Sequence, residues 1–270
     1  MMKLGLEAGK ETLDLAVELG IRGVPIDAGD LVKNGVAATL APLQERGLNV
    51  CQIGAFGFNP LALSQAQADL LAAAIPLAAE TGCPYIVING GNYHPTGFLG
   101  TDARNYTEAA LDEVAGVLRP FLAQAAQFGV KLSIEPYLKT AVATPEKFIL
   151  LKEKVASEAL VINIDVTSLY DYWALIDPAP SVFHTCTALA GHYGLGHIKE
   201  IALQDEFHLQ AGLVPLGQGL TNWQQVLELM SPYLPDDSWL ILEHVLSPDE
   251  ARNSVALLRQ AAQQAGVQLL

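Results

Sequence analysis

One pattern recurs from end to end of the chain: a short apolar run, a loop, then an amphipathic stretch with helical spacing. The apolar runs are rich in Val, Ile and Leu, and several are apolar almost throughout. That composition is typical of strands that are buried on both faces. The pattern predicts eight strands, in MKLGLEA, IRGVPIDA, LNVCQIGAF, PYIVING, VKLSIEPY, LVINIDV, GHIKEIAL and WLILEHV. Helix-start signals stand between them; at Ser247-Pro248-Asp249-Glu250, a Ser, a Pro and a Glu predict a capping box.

The alternation of strands and helices determines the fold that we expect. Alternating β and α segments predict a parallel sheet, and eight of them in a chain of 270 residues predict a closed (β/α)8 TIM barrel of the α/β class. No Ser/Gly tract or charge block marks a linker, so we predict a single domain over residues 1–270. The alternative is an open doubly wound sheet, but Gly5 to Gly9 does not supply its GxGxxG motif.

Composition and charge narrow the classes of partner. The chain carries 15 Lys and Arg against 29 Asp and Glu, a net charge of −14, which argues against binding to nucleic acid or to an anionic membrane. The N-terminus lacks the apolar core of a signal peptide, and Leu70–Ala79 is too short to span a bilayer. Cys51, Cys83 and Cys186 are widely spaced and lie in apolar stretches, which predicts buried thiols and a cytoplasmic protein.

The last four barrel strands each end in a residue type that can bind a metal. These residues are, in order along the chain, Glu135, Asp165, His197 and Glu243. Barrel chemistry lies at the carboxyl ends of the strands, so the four side chains can converge. Three converging carboxylates repel one another unless their pKa values rise or a cation neutralises them, and we favour the cation. The alternative for any single carboxylate is that it caps a helix or pairs with a Lys.

Further candidates lie beside this set. His94, in GGNYHP, is either a substrate contact or a loop His, and Lys199 either steadies a substrate oxygen or pairs with Glu200. Gly217-Gln218-Gly219 is either a phosphate-binding loop or a simple tight turn. The aromatic stretch 169–193 is interpreted as a long loop that forms a lid, a sugar-stacking wall or an oligomer contact.

The segments LSIEPY, INIDVTS, LGHIKE, VPLGQGLTNW and LILEHV resemble the xylose-isomerase-like TIM-barrel superfamily, the sugar phosphate isomerase/epimerase group. The resemblance implies that Glu135, Asp165, His197 and Glu243 hold one divalent metal, Mn²⁺ first, with Mg²⁺, Co²⁺ or Zn²⁺ as alternatives. It also implies that Glu135 and Glu243 are the acid/base pair of an isomerase or epimerase. Such an enzyme acts on a sugar or related hydroxy-ketone through a metal-chelated enediolate.

Some positions differ from the family pattern and keep other functions open. Ser168 stands where the family commonly has His, and Leu203 stands where ketose 3-epimerases have Arg. The alternatives are a dehydratase or lyase of the same superfamily and a non-catalytic sugar-binding barrel. The expected partner is a small sugar or polyol-derived molecule that contacts His94 and Lys199, and a homo-oligomer is compatible with the sequence.

Overall fold

The computed structural model describes residues 1–270 except for the side chain of Lys10. Its strands, in chain order, are β1 Leu4–Leu6, β2 Gly23–Asp27, β3 Asn49–Ala55, β4 Tyr85–Asn89, β5 Lys131–Glu135, β6 Leu160–Ile164, β7 Tyr193–Ile198, β8 Glu200–Leu203, β9 Ala211–Val214 and β10 Leu240–Leu242. Eight of them close into a parallel barrel in the order β1-β10-β7-β6-β5-β4-β3-β2. The predicted α/β TIM barrel is therefore confirmed.

Helices alternate with the strands, as the sequence pattern predicts. They are α1 Thr12–Glu18, α2 Ala28–Asn34, α3 Val36–Gln44, α4 Gln65–Thr81, α5 Glu108–Gln127, α6 Pro145–Val155, α7 Pro178–Ala188, α8 Trp223–Met230 and α9 Pro248–Gln264. Ser247 caps α9 by accepting a hydrogen bond from the Glu250 backbone N–H at 3.2 Å. The Glu250 carboxylate accepts from the backbone N–H of Leu246 at 3.0 Å, one residue earlier than a capping box requires.

The chain divides into two compact units. Residues 1–24, 46–49 and 164–270 form one unit, and residues 25–45 and 50–163 form the other. In the first unit, β10 pairs with both β1 and β7, and α8 packs against α7 and α9. In the second unit, β4 pairs with β5 along five residues, and α5 packs against α4 and α6. Strands β4 and β6 are buried along their whole length, as expected for strands covered on both faces.

The prediction that GHIKEIAL forms one strand, the seventh, is wrong. Strand β7 ends at Ile198, and β8 pairs antiparallel with β9 in a two-stranded hairpin outside the barrel order. Register pairs run from Glu200 with Val214 to Leu203 with Ala211. Periodicity alone does not separate the two strands, because a single residue, Lys199, lies between them.

The three cysteines and the longest helices bear on two further predictions. Cys51, Cys83 and Cys186 are buried thiols, as predicted. Burial raises the pKa of the Cys186 thiol to about 12. Within the part of the chain that the structure describes, no helix combines the length and apolar character needed to cross a membrane.

Candidate functional site

The four predicted ligand residues come together at the carboxyl ends of their strands. Glu135 is the last residue of β5, His197 lies near the end of β7, and Asp165 and Glu243 directly follow β6 and β10. One ligand atom of each lies within 4.8 Å of those of the other three. Asp165, His197 and Glu243 are only 1%, 2% and 6% exposed. The predicted convergence is therefore observed, and its role in metal binding is a prediction.

The chemistry and spacing of this group fit a divalent ion. Bonds from Mg²⁺ or Zn²⁺ to oxygen or nitrogen are roughly 2.0–2.2 Å long, so opposite ligands lie roughly 4.2 Å apart. The 4.8 Å span of the four ligand atoms is close to that separation. Three carboxylates and one imidazole form an oxygen-rich donor set that suits Mn²⁺ or Mg²⁺. The residues present therefore fit the divalent ion that the family resemblance implies.

Asp165 is held in place by the 3₁₀ turn that follows it. Its Oδ1 accepts hydrogen bonds from the Thr167 N–H at 3.1 Å, the Thr167 hydroxyl at 2.8 Å and the Ser168 N–H at 3.1 Å. Its Oδ2 accepts from the Ser168 hydroxyl at 2.9 Å. Ser168 therefore orients a candidate ligand. Outer partners of this kind fix the geometry and basicity of metal ligands.

Lys199 pairs with the carboxylates of the group and not with Glu200. Its ammonium donates to Asp165 Oδ2 and, at 2.5 Å, to Glu243 Oε1. The reason is the strand period of two, which directs Lys199 to the same side as His197 and Glu200 to the other side. The expected pairing of Lys199 with Glu200 is therefore wrong.

Two imidazoles and the Lys199 ammonium lie close to Glu243. Its Oε2 lies 3.0 Å from His197 Nδ1, and its Oε1 lies 3.5 Å from His244 Nε2. Burial by itself raises the pKa of Glu243, but His197, Lys199 and His244 together hold it well below its usual range. Glu243 is therefore ionised at neutral pH, the state that a proton acceptor requires.

His244 is a feature that the sequence analysis missed. Its backbone has φ of 57°, in the left-handed region that few residues other than glycine adopt. Such backbone conformations often occur at functional sites, where the surrounding structure enforces them. The sequence signal was its position directly after Glu243; His adopts the left-handed region more often than most residues, but too rarely to predict it from sequence.

Glu200 is a buried carboxylate that is not a member of the four-residue group. It is 1% exposed and accepts from the Thr221 hydroxyl at 2.6 Å and the Trp223 indole N–H at 3.0 Å. A Cβ at Gly219 would lie 2.5 Å from the Glu200 carboxylate, so glycine is needed there. Gly219, the second glycine of Gly217-Gln218-Gly219, therefore leaves space for the Glu200 side chain. A carboxylate at this position disfavours a phosphate group by like-charge repulsion.

A cavity of about 390 Å³ lies within residues 170–221. Its lining is mostly apolar and includes Leu203 and Leu220, with the polar groups of Tyr170, Gln218 and Thr221. The aromatic stretch 169–193 is not one long loop, because α7 occupies residues 178–188. Tyr172 and Trp173 remain 44% and 71% exposed beside it.

His94 lies in the loop after β4 and is not a member of the four-residue group. Its ring Nδ1 lies 2.8 Å from the Thr96 hydroxyl, and its backbone N–H donates to Asn92. Its contact with a substrate stays a prediction. Asp27, another strand-end carboxylate, caps α2 by accepting from the backbone N–H groups of Gly29 and Asp30.

Solved structures of low sequence identity share this fold. A xylose isomerase-like TIM barrel protein from Mycobacterium smegmatis, in complex with magnesium, is 18% identical to this chain with a TM-score of 0.74. The match covers 94% of this chain and 88% of the mycobacterial chain. The probable 3-DHS dehydratase AsbF from Bacillus anthracis is 17% identical, with a TM-score of 0.73 over 96% and 99%. The 3-keto-D-glucoside 4-epimerase YcjR from E. coli is 19% identical, with a TM-score of 0.69 over 96% and 100%.

Sequence comparison identifies the family more directly. No curated protein sequence matches the chain significantly. The sequence profile of the xylose isomerase-like TIM barrel family, however, matches residues 13–261. That match covers nearly the whole barrel and includes all four residues of the candidate site. The chain belongs to the xylose isomerase-like TIM barrel family.

Proposed function

We propose that this chain is a divalent-metal-dependent isomerase or epimerase that acts on a sugar or a related hydroxy-ketone. The observation that carries the proposal is the convergence of Glu135 and Glu243 with Asp165 and His197 within 4.8 Å. A site that only binds a sugar does not require two carboxylates in addition to an Asp and a His. Two carboxylates beside a metal site are what a reaction with two proton transfers needs.

Glu135 and Glu243 are the proposed acid/base pair. Glu243, which is ionised, accepts the proton from the carbon beside the substrate carbonyl, leaving an enediolate. Glu135 is the partner that returns a proton to the opposite face, which gives the epimer. Return of the proton to the neighbouring carbon gives the isomer.

Metal binding is assigned to Glu135, Asp165, His197 and Glu243. A bound divalent ion supplies Lewis-acid polarisation of the substrate carbonyl. We place Mn²⁺ first because the donor set is oxygen-rich with one imidazole, and the mycobacterial relative in complex with magnesium supports a hard cation. Asp165, fixed by Thr167 and Ser168, is the residue that orients the site.

Substrate contacts are assigned to two residues. Lys199 presents an ammonium beside Glu243 and can donate to a substrate oxygen, and His94 lies in a loop rich in polar groups. The proposed ligand is a small sugar or polyol-derived molecule. We further propose that residues 1–270 form one functional domain in the cytoplasm, because the three cysteines are buried thiols.

A dehydratase is the second candidate, and the similarity to the probable 3-DHS dehydratase favours it. Dehydration begins with the same proton removal, and the β-hydroxyl then leaves as water, with Glu135 giving its proton to the leaving oxygen and not to carbon. The two reactions differ in the fate of the product. Incorporation of one solvent deuteron without loss of water indicates the isomerase or epimerase, whereas formation of an unsaturated product indicates the dehydratase.

The test is exchange of carbon-bound hydrogen in D₂O, followed by NMR across a panel of ketoses with Mn²⁺ present. Glu243→Gln should lower the rate roughly 10²–10⁴-fold, because it removes the base while retaining the shape of the side chain. Glu228→Gln, on the exposed face of α8, is the matched control and should react like the wild type. Equal exchange by Glu243→Gln and the wild type would show that Glu243 is not the base.

A further inference from the structure

Lys199 is a buried cation. It is only 9% exposed, whereas lysines rarely lose contact with water unless they are paired. Its ammonium contacts Asp165 Oδ2 and Glu243 Oε1. Both carboxylates belong to the group that could hold a metal ion. The ammonium and a divalent ion therefore require the same oxygen atoms.

Asp165 has no acceptor capacity left while Lys199 is in place. Five donors reach its carboxylate: the Thr167 N–H and hydroxyl, the Ser168 N–H and hydroxyl, and the Lys199 ammonium. A carboxylate offers about four lone-pair sites. A metal bond to Asp165 therefore requires that one donor leave.

Lys199 is the donor that can leave with the least change to the turn, because the two backbone N–H donors are fixed by it and the two hydroxyls belong to its residues. Thr167 and Ser168 are two and three residues beyond Asp165 and belong to the 3₁₀ turn of residues 167–169. Lys199 is 34 residues away in sequence and reaches Asp165 through a flexible four-carbon side chain. Electrostatic repulsion between the ammonium and an approaching divalent ion also favours the departure of Lys199 from Asp165.

We propose that Lys199 is an internal competitor of the divalent ion: its ammonium neutralises Asp165 and Glu243 in the metal-free chain and withdraws from them when the ion binds. This inference rests on the proposed metal-dependent function. It explains how a buried cluster of carboxylates is stabilised without metal. It also makes the Lys199 ammonium available to a substrate oxygen only in the metal-loaded chain.

The experiment measures Mn²⁺ affinity by calorimetric titration of the metal-free chain at one fixed pH. Lys199→Met removes the charge and keeps a flexible side chain of similar length, and it should bind Mn²⁺ at least about 10-fold more tightly than the wild type. Lys33→Met, in an exposed position of α2, is the matched control and should keep the wild-type affinity. Lys199→Gln, which can still donate to Asp165, should give an intermediate affinity.

A second measurement follows the midpoint of thermal unfolding. In EDTA, Lys199→Met should unfold at a lower temperature than the wild type, because its carboxylates have lost their counter-ion. Saturating Mn²⁺ should raise the midpoint of Lys199→Met by more than it raises that of the wild type. Lys199→Gln supplies the same comparison if Lys199→Met does not fold.

The outcomes separate this inference from the proposed function. If the wild type binds Mn²⁺, Asp165→Asn abolishes the binding, and neither Lys199 variant binds more tightly, the metal site stands and the competitor role of Lys199 is overturned. If the wild type and both Lys199 variants all fail to bind Mn²⁺, both the inference and the metal-dependent function are overturned. Binding by the Lys199 variants alone supports the inference in its strongest form.

Discussion

Asn92 and Asp165 are both buried polar side chains with five side-chain hydrogen bonds, but their partners differ in kind. Asn92 donates to the carbonyls of Gly97, Gly100 and Lys139, and it accepts from the His94 N–H and the Asn105 amide. Every one of these partner groups is neutral. Asp165 also has four neutral donors, but its fifth is the Lys199 ammonium.

The difference distinguishes a buried polar side chain that stabilises the fold from one that belongs to the candidate metal site. A neutral network that satisfies every member favours one conformation, because any rearrangement leaves a buried group without a partner. A charged cluster with one mobile counter-ion can exchange that ion for another cation at a smaller structural cost. We therefore expect substitutions at Asn92 to affect stability, and substitutions around Asp165 to affect metal binding first.

The largest expected effect on stability is that of Asn92→Ala. The change leaves three part-buried carbonyls and two donors without this side-chain partner, so the free energy of unfolding should fall by about 3 kcal/mol. Asn253→Ala, on the exposed face of α9, should change it by less than about 0.5 kcal/mol. Urea denaturation measures both. A loss as small as that of the control would show that the loop network is not a rigid structural element.

Ser168→Ala should have a smaller and different effect. It removes the hydroxyl that donates to Asp165 Oδ2 at 2.9 Å. We expect Mn²⁺ affinity to fall roughly 10-fold because an outer partner of a ligand is lost, while the free energy of unfolding falls by only about 1 kcal/mol. Calorimetric titration and denaturation separate the two quantities. A loss of stability without a change in affinity would place Ser168 with Asn92 as a structural residue.

The smallest expected effect is on the pH dependence of stability, and it comes from Glu200, a buried carboxylate outside the four-residue group. Burial raises its pKa above the ordinary value of 4.5 in the folded chain, although its hydrogen bonds to Thr221 and Trp223 act in the opposite direction. The folded chain therefore holds this proton to a higher pH than the unfolded chain. The contribution of Glu200 to stability is fully present below about pH 4.5 and is lost as the pH rises through the raised pKa.

Glu200→Gln lacks this titration and provides the comparison. The stability of the wild type relative to Glu200→Gln should fall as the pH rises from about 4 to 7, as followed by denaturation at several pH values. A difference that stays constant across that range would show that Glu200 titrates normally in the folded chain.

Much of the fold was predictable because its signals are local. Buried strands such as β4 and β6 are continuous apolar runs, and the polar residues that follow β6 and β10 marked the carboxyl ends where Asp165 and Glu243 lie. The hairpin of β8 and β9 was not predicted. Only Lys199 separates its first strand from β7, and the pairing with residues 211–214 is a long-range choice that local pattern does not encode.

The membership of the candidate site was predictable, but its internal contacts were not. Strand order in a barrel brings consecutive strand ends together, which is enough to place Glu135 beside Asp165. The partner of Lys199 depends on which side of the chain each residue faces and on competition among several carboxylates. The adjacent Glu200 was the obvious partner by sequence, but its carboxylate accepts from Thr221 and Trp223 instead.

The most direct test of the metal site is anomalous scattering from crystals grown with Mn²⁺, with Asp165→Asn crystals as the control. We expect one manganese peak at roughly 2.0–2.3 Å from atoms of Glu135, Asp165, His197 and Glu243, with Lys199 withdrawn from Asp165. No such peak should appear in the Asp165→Asn crystals. A wild-type map without a peak at this position, with the Lys199 ammonium still bound to Asp165 and Glu243, would contradict the account.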